Sequence, residues 1–474
     1  MKQLSGIDAT FLYLETEQTP MHVAGLTLYD LPKGFKGSFH KHFTEFFKGR
    51  VHLVPIFGMK LAKTIWQIDH PGWVDAGELD FDYHIQSAKL PKPGNRKQLE
   101  DMVAQLHSER LDRTKPLWQF TVIEGLEGRQ AALYSKVHHA AVDGGAGMVI
   151  TKALYDVTEE PREVEPPQPK APSRKPSDLE RAILGISDVA ANMARQQLTM
   201  LESIPKMMGQ VTEMVAPVLA GKVGIPQLLA PRTPFNVTVD AKRSYGARSV
   251  SLKDVKGIAK ATGTKLNDVV MAIVSGATRT YLMRKQELPD AALVAFVPIS
   301  LREVGNSDIN NQVFGMNVPL ASNYGDPIKR LRKIAQESGA TKTLAGGVKD
   351  AAPQDFTLIG APTLLPGLMQ LYGATKLADY IPQVVNMCIS NTQGPPFPLY
   401  CAGAKVTALY PVSIATHGVG LNVTVQSYLD HLDFGVTADY KALPDVDVYA
   451  DLLVSSFEEL KYAVQKAEAA VSKG

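Results

Sequence analysis

A chain of 474 residues, 45% hydrophobic and 21% charged, can bury the cores of two or three domains, which excludes a disordered or fibrous protein. A formal net charge of +2 gives no basis for nucleic-acid binding, and two cysteines, Cys388 and Cys401, form no disulfide framework and fit a reducing compartment. The opening residues carry no apolar signal core and the chain has no run of about 18 apolar residues, so it is expected to be soluble or peripherally bound, without a membrane span.

In chain order, residues 1–30 read as a helical start followed by a strand from His22 to Tyr29. Ser38 to Lys48 is amphipathic, with Phe39, Phe43, Phe46 and Phe47 on one side, and reads as a core helix. Trp66 to Trp73 and Phe81 to Ile85 read as short strands around turns, a setting in which His70 and His84 are structural. Asn95 to Leu111 is a helix. Pro116-Leu117-Trp118 leads into a strand, Gln119 to Glu124, which pairs across Gly125–Gly128 with Ala131 to Val137. Two histidines, His138 and His139, follow that strand; Asp143 and three glycines come next, and helical periodicity resumes from Met148 to Val157.

Residues 158–178 form a proline-rich, polar linker. Leu179 to about Leu219 reads as helical, kinked near Pro205, with Met193, Met200, Met207, Met208 and Met214 as core or lipid-facing side chains. A second half starts near Phe235. Its strands are Arg248–Leu252, Ala291–Ile299, Val313–Leu320, Val384–Ser390, Val406–Val412, Gly420–Tyr428 and His431–Ala438. Its helices are Lys253–Gly263, Lys265–Lys285, Ile328–Ala345 and Val446–Lys473, and an apolar stretch from Phe356 to Tyr380 is broken by Gly360, Pro362, Pro366 and Gly373. Both halves mix strands and helices in a similar way.

The chemistry concentrates between His138 and Gly147. Imidazole, with an unperturbed pKa of about 6.5, suits proton transfer at neutral pH. One of the pair is a candidate general base; the alternative is two satisfied loop histidines. Zinc would need further ligands at short spacing, which are missing, and a hydrolase triad would need a Gly-x-Ser-x-Gly elbow, which does not occur.

His138-His139-Ala140-Ala141-Val142-Asp143-Gly144 resembles the His-His-x-x-x-Asp-Gly signature of the CoA-dependent acyltransferase superfamily. Asp8-Ala-Thr-Phe-Leu, Pro20-Met-His-Val, Pro116-Leu117-Trp118, Asn267-Asp268, Pro298-Ile-Ser-Leu-Arg302 and Ser390-Asn391-Thr-Gln-Gly394-Pro395 extend it. They stand in the order seen in bacterial wax ester synthase/acyl-CoA:diacylglycerol acyltransferases. The resemblance covers nearly the whole chain and is weakest between 160 and 235. It implies an α/β (α+β) fold of two chloramphenicol-acetyltransferase-like domains, each a mixed sheet with helices, enclosing a central channel. On that reading residues 1–178 are the N-terminal acyltransferase domain, 179–234 a linker with the Met-rich helix, and 235–474 the C-terminal domain.

The resemblance also implies an activity: O-acyl transfer from acyl-CoA, a co-substrate, to a long-chain alcohol or diacylglycerol, with no cofactor and no metal. The partners would be those substrates and, peripherally, a membrane or lipid-droplet surface on the cytoplasmic side. His139 is then the base, with His138 and Asp143 in support and Gly144 serving the turn. Asp143 is expected to pair with Arg302 and so tie the halves together. Pro116, Leu117, Trp118, Asn267, Asp268, Ser390, Asn391, Gly394 and Gly360 are candidate substrate-binding residues. Asn267 and the Ser390-Asn391 segment are candidate oxyanion donors; Pro116-Leu117-Trp118 and Asn267-Asp268 are equally readable as an apolar wedge and a helix N-cap. Asp433-Phe434-Gly435 echoes a superfamily Asp-Phe-Gly motif within a strand pattern. The alternatives are a condensation-type enzyme using another acyl donor and a non-catalytic lipid-droplet protein.

Overall fold

A computed structural model of the chain describes residues 2–62, 70–142, 146–167, 229–300, 313–346 and 361–471. The strands, numbered along the chain, are β1 (Lys2–Gln3), β2 (His22–Asp30), β3 (Met59–Leu61), β4 (Gly72–Asp75), β5 (Ile85–Lys89), β6 (Trp118–Glu124), β7 (Gln130–His138), β8 (Arg243–Ser251), β9 (Val294–Ser300), β10 (Val313–Pro319), β11 (Met387–Thr392), β12 (Tyr400–Cys401), β13 (Ala404–Val412), β14 (Leu421–Tyr428) and β15 (His431–Asp439).

Alternation along β7 shows how the first sheet is built. Ala131, Leu133 and Val137 join a core that includes Phe39, Phe43 and Phe47 of helix Phe39–Lys48, while Ala132 and Tyr134 join a second core on the opposite face. Phe39, Phe43 and Phe47 fall four residues apart on that helix and are fully buried, each worth roughly 1.5–3 kcal/mol by area. Glu124 of β6 accepts from the Phe39 N–H, 2.6 Å away, and so supplies a negative charge at the helix N-terminus. The hairpin of β6 and β7 is antiparallel, as the glycine-bounded turn demands.

The first sheet runs β12-β13-β2-β7-β6-β5 and the second β10-β9-β11-β14-β15-β8; β1, β4 and β3 make a small third sheet. In the second sheet, helix Leu266–Arg284 buries Val269 to Val274 against the strands. Helix Arg96–Ser108 from the first half packs on β8 of the second. There buried Glu100 accepts from the Ala247 N–H at 3.0 Å and from Arg248 at 2.8 Å. No helix among the described residues is long and apolar enough to cross a membrane.

The structure departs from the sequence reading at several points. Phe81–His84 is a helical turn rather than a strand, because the Asp80 carboxylate accepts from the Tyr83 N–H, and extended structure begins only at Ile85. β11 begins at Met387, three residues beyond the expected Val384. The apolar stretch read as broken holds a continuous helix, Ala361–Ala374, which passes through Pro366. Val406–Val412, read with the second half, belongs to β13 and pairs with β2 in the first sheet. Trp66 and the Met-rich stretch 193–214 lie outside the described residues.

Asp433-Phe434-Gly435 marks where the sheets cross. Asp433 is fully buried and accepts from the Leu409 N–H at 2.8 Å and from Ser249 at 2.6 Å. A Cβ on Gly435 would sit 1.7 Å from the Pro411 carbonyl oxygen of β13, so only glycine lets the two strands approach. The echo is therefore a crossing device of the fold. Gly435→Ala must push β13 off β15 and should destabilise the protein by about 3 kcal/mol. Urea unfolding checks this; an unchanged midpoint would mean that the strands part without cost.

Candidate active site

The register of β2 on β7 places His22 opposite His138, with both side chains on one face of the sheet. Beyond His138 the chain turns through a short 3-10 segment, His139–Ala141. Two neighbouring strands pin this turn. The His138 N–H donates to the Leu117 carbonyl at 2.9 Å and the His139 N–H to the Met21 carbonyl at 2.8 Å. The His138 ring is fully buried; its Nδ1 accepts from the Ala140 N–H at 3.1 Å, and its Nε2 faces Glu15 Oε1 at 3.5 Å, long for a hydrogen bond. The His139 ring is half-buried and stacks on Phe11, 3.8 Å between centroids and 14° apart in plane. His139 Nδ1 is buried and has no hydrogen-bond partner among the described residues.

Burial dominates the electrostatics. It pulls the His139 pKa down to about 4, with the neighbouring His138 adding to the effect. His138 is also lowered by burial, against the opposing pull of Glu15. Glu15 shows the reverse balance: burial opposes its ionisation, but His138, Arg113 and the Met21 N–H outweigh it and hold the carboxyl at about 2. Behind them His107 is lowered to about 3 by burial; its Nε2–H donates to the Ser413 carbonyl at 2.7 Å. Lys136, two residues before His138 on the same face, is brought down to about 8 by burial and donates to the carbonyls of Leu106 and Glu109 at the end of a helix. At neutral pH His139 is thus an uncharged imidazole against an aromatic wall. It is in the protonation state that a general base needs.

The other predicted residues separate. Trp118 does not line a site: it is fully buried, its indole N–H donates to the Phe57 carbonyl at 2.9 Å, and it stacks between His84 and Phe57. Pro116 and Leu117 are buried beside it as an apolar wedge, and the Leu117 carbonyl holds the His138 N–H. Asp268 is a capping residue, accepting from the Lys265 N–H at 2.9 Å at the start of helix Leu266–Arg284. Asn267 is met by the Asn391 amide at 3.4 Å, so the structure brings these two together across helix and strand.

Ser390 and Asn391 point apart because the pleat alternates. Ser390 lies opposite Thr424 of β14, on the face from which Asn422 reaches Ser413 and Ile414 beyond the end of β13. Gly394 answers a steric demand: a Cβ there would lie 2.0 Å from the Ser427 carbonyl oxygen, so the loop lies directly on the β14–β15 hairpin. Asp143, Gly144, Arg302 and Gly360 lie outside the described residues. The sequence reading gave no role to Phe11, Glu15, Met21 or Arg113. Phe11 and Met21 stood inside quoted signature stretches; Arg113 carried no local signal at all.

Three comparisons bear on this arrangement. The family model described as the wax ester synthase/diacylglycerol acyltransferase catalytic domain matches residues 4–270, and its companion, the WS/DGAT C-terminal domain, matches 309–461. The chain is 35% identical to the O-acyltransferase WSD of Acinetobacter baylyi over 470 residues, covering 97% of this chain and 96% of that one. Among solved structures, the wax ester synthase/diacylglycerol acyltransferase from Marinobacter aquaeolei VT8 superposes with a TM-score of 0.70 at 28% identity, over 98% of this chain and all (100%) of that one. The starter condensation domain of rhizomide synthetase shares the fold alone, with a TM-score of 0.54 at 12% identity over 98% of this chain and 94% of that one.

Proposed function

Since the chain belongs to the wax ester synthase/diacylglycerol acyltransferase family and is an O-acyltransferase, we propose that it moves a fatty acyl group from acyl-CoA to a long-chain alcohol or diacylglycerol, with His139 as general base. The observation that carries the role of His139 is its ring: uncharged at neutral pH and stacked on Phe11. An alcohol is a poor nucleophile until its proton is taken, whereas a thioester needs no enzyme nucleophile. As the alcohol oxygen bonds to the thioester carbonyl carbon, its proton passes to His139. When the carbon–sulfur bond of the tetrahedral intermediate breaks, that proton goes to the CoA sulfur, leaving ester and free thiol. Asn267 and Asn391, which meet across helix and strand, are the polar groups offered as partners for the oxyanion, with Ser390 on the opposite face of the strand as the alternative.

Purified protein incubated with palmitoyl-CoA and hexadecanol should release thiol and form ester, and His139→Ala should lower turnover by ~10²–10⁴-fold without unfolding. Because the base is active when neutral and its pKa is about 4, the acid limb of kcat/KM should lie below pH 5, with a flat rate from pH 6 to 8. Near wild-type turnover in folded His139→Ala, or an acid limb at the ordinary histidine value, would remove His139 from the role.

Asp143 and Arg302 are proposed to pair, holding the histidine loop against the second half without touching the reacting atoms. Removing one partner of a buried pair typically costs ~3–5 kcal/mol. Asp143→Ala and Arg302→Ala should each show such a loss in chemical denaturation, and the double variant much less than their sum; additive losses would show that the two do not meet.

The protein is further proposed to work at a lipid surface. Leu371 and Tyr380, 56% and 75% exposed, continue with Leu368, Ile381 and Val384 an apolar stretch that begins in helix Ala361–Ala374, which packs on the helix carrying Phe11. Co-flotation with anionic liposomes should be seen and should weaken in Leu371→Glu/Tyr380→Glu. Absence of flotation at every salt concentration would rule the contact out.

A further inference from the structure

Glu15 ends helix Gly6–Leu14, and its side chain is 1% exposed. Burying a carboxylate is costly unless every oxygen is engaged, and here both are. Oε2 takes the Arg113 guanidinium through Nε at 2.7 Å and Nη2 at 2.6 Å. Oε1 accepts from the Met21 N–H at 3.2 Å and faces His138 Nε2 at 3.5 Å. Each of these contacts leads on to His139. The carbonyl of the same Met21 holds the His139 N–H at 2.8 Å. Arg113 Nη2 also donates to the Leu12 carbonyl at 2.7 Å, next in sequence to Phe11, the ring on which His139 stacks. His138 Nδ1 is committed as acceptor to the Ala140 N–H, so its proton sits on Nε2, directed at the carboxylate.

We propose that Glu15, clamped by Arg113, is a positioning residue for His139: it fixes the base's backbone through Met21, the orientation of the loop through His138, and the stacking wall through Leu12. Glu15 does not touch the reacting atoms. It sits at the end of the helix and is bonded or apposed to the start of β2 and the end of β7, the segments around the base. The proposal rests on the reading of His139 as base. Displacement of a catalytic group by about 1 Å can cost ~10²-fold in rate, and the carboxylate is the common anchor against that displacement. Because the network acts through the position of His139, the loss should fall on kcat rather than on KM.

The test compares Glu15→Ala, Glu15→Gln, Arg113→Met and His139→Ala with palmitoyl-CoA and hexadecanol, rates being normalised to the folded fraction from circular dichroism. Glu15→Ala should lower kcat ~10²-fold with KM for palmitoyl-CoA within about twofold. Glu15→Gln should recover at least about a tenth of wild-type kcat, since its amide oxygen still accepts from the Met21 N–H. Arg113→Met should fall between the two. If Glu15→Ala does not fold, Glu15→Gln and Arg113→Met decide, and a kcat loss at unchanged KM in both supports the proposal. A folded Glu15→Ala with more than half of wild-type kcat, or a loss confined to KM, overturns it. His139→Ala separates the two readings. If it stays active, His139 is not the base, whatever Glu15 does; if it is inactive while folded Glu15→Ala keeps more than half of wild-type kcat, the positioning role alone is overturned.

Discussion

The pairing register of β2 on β7 is the constraint from which the rest of the site follows. With His22 opposite His138, the strand delivers His138 to the face shared with Tyr134 and Lys136, and the next residue, His139, begins the turn. A slip of one residue would send every side chain of β7 to the other face, putting His138 among the phenylalanines and Leu133 against helix Arg96–Ser108. The register is held because both faces are buried in different cores. Large aromatic and aliphatic residues fill one, and a smaller core with polar anchors, Lys136 and His107 among them, fills the other.

The same burial that fixes the register sets the protonation of the site. Histidines taken out of water lose their charge, and the buried Glu15 keeps its own only because Arg113, His138 and a backbone amide surround it. The result is an anion behind the pair of histidines and a neutral ring in front. An imidazole held in this way needs no charged partner to be unprotonated at neutral pH. Aromatic stacking and one backbone hydrogen bond fix its position, and neither adds charge beside the ring.

The two halves are joined by more than a linker. β13 leaves the second half and completes the first sheet, and its backbone crosses β15 at Gly435 so closely that a carbonyl oxygen occupies the space of a methyl group. Asp433 ties the strands by accepting a backbone N–H from β13, and helix Arg96–Ser108 returns the exchange by docking on β8. Each half thus supplies elements to the other's packing, and stability and site geometry belong to the whole chain.

Local rules in the sequence determined a good deal. Four-residue spacing of phenylalanines specified helix Phe39–Lys48, the glycine-bounded turn specified the β6–β7 hairpin, and the histidine motif specified the family and drew attention to His139. These features are legible because period, turn chemistry and motif spacing act over a few residues. Local pattern failed where a short polar side chain captured the backbone, as Asp80 does before Phe81–His84. Tertiary structure alone decided which residues meet: that Trp118 is core, that β13 crosses to the first sheet, and that Glu15 joins Arg113, 98 residues away, behind the histidines. Such contacts leave no periodic trace in the sequence, because they come from separate elements that are brought together only when their apolar faces leave water.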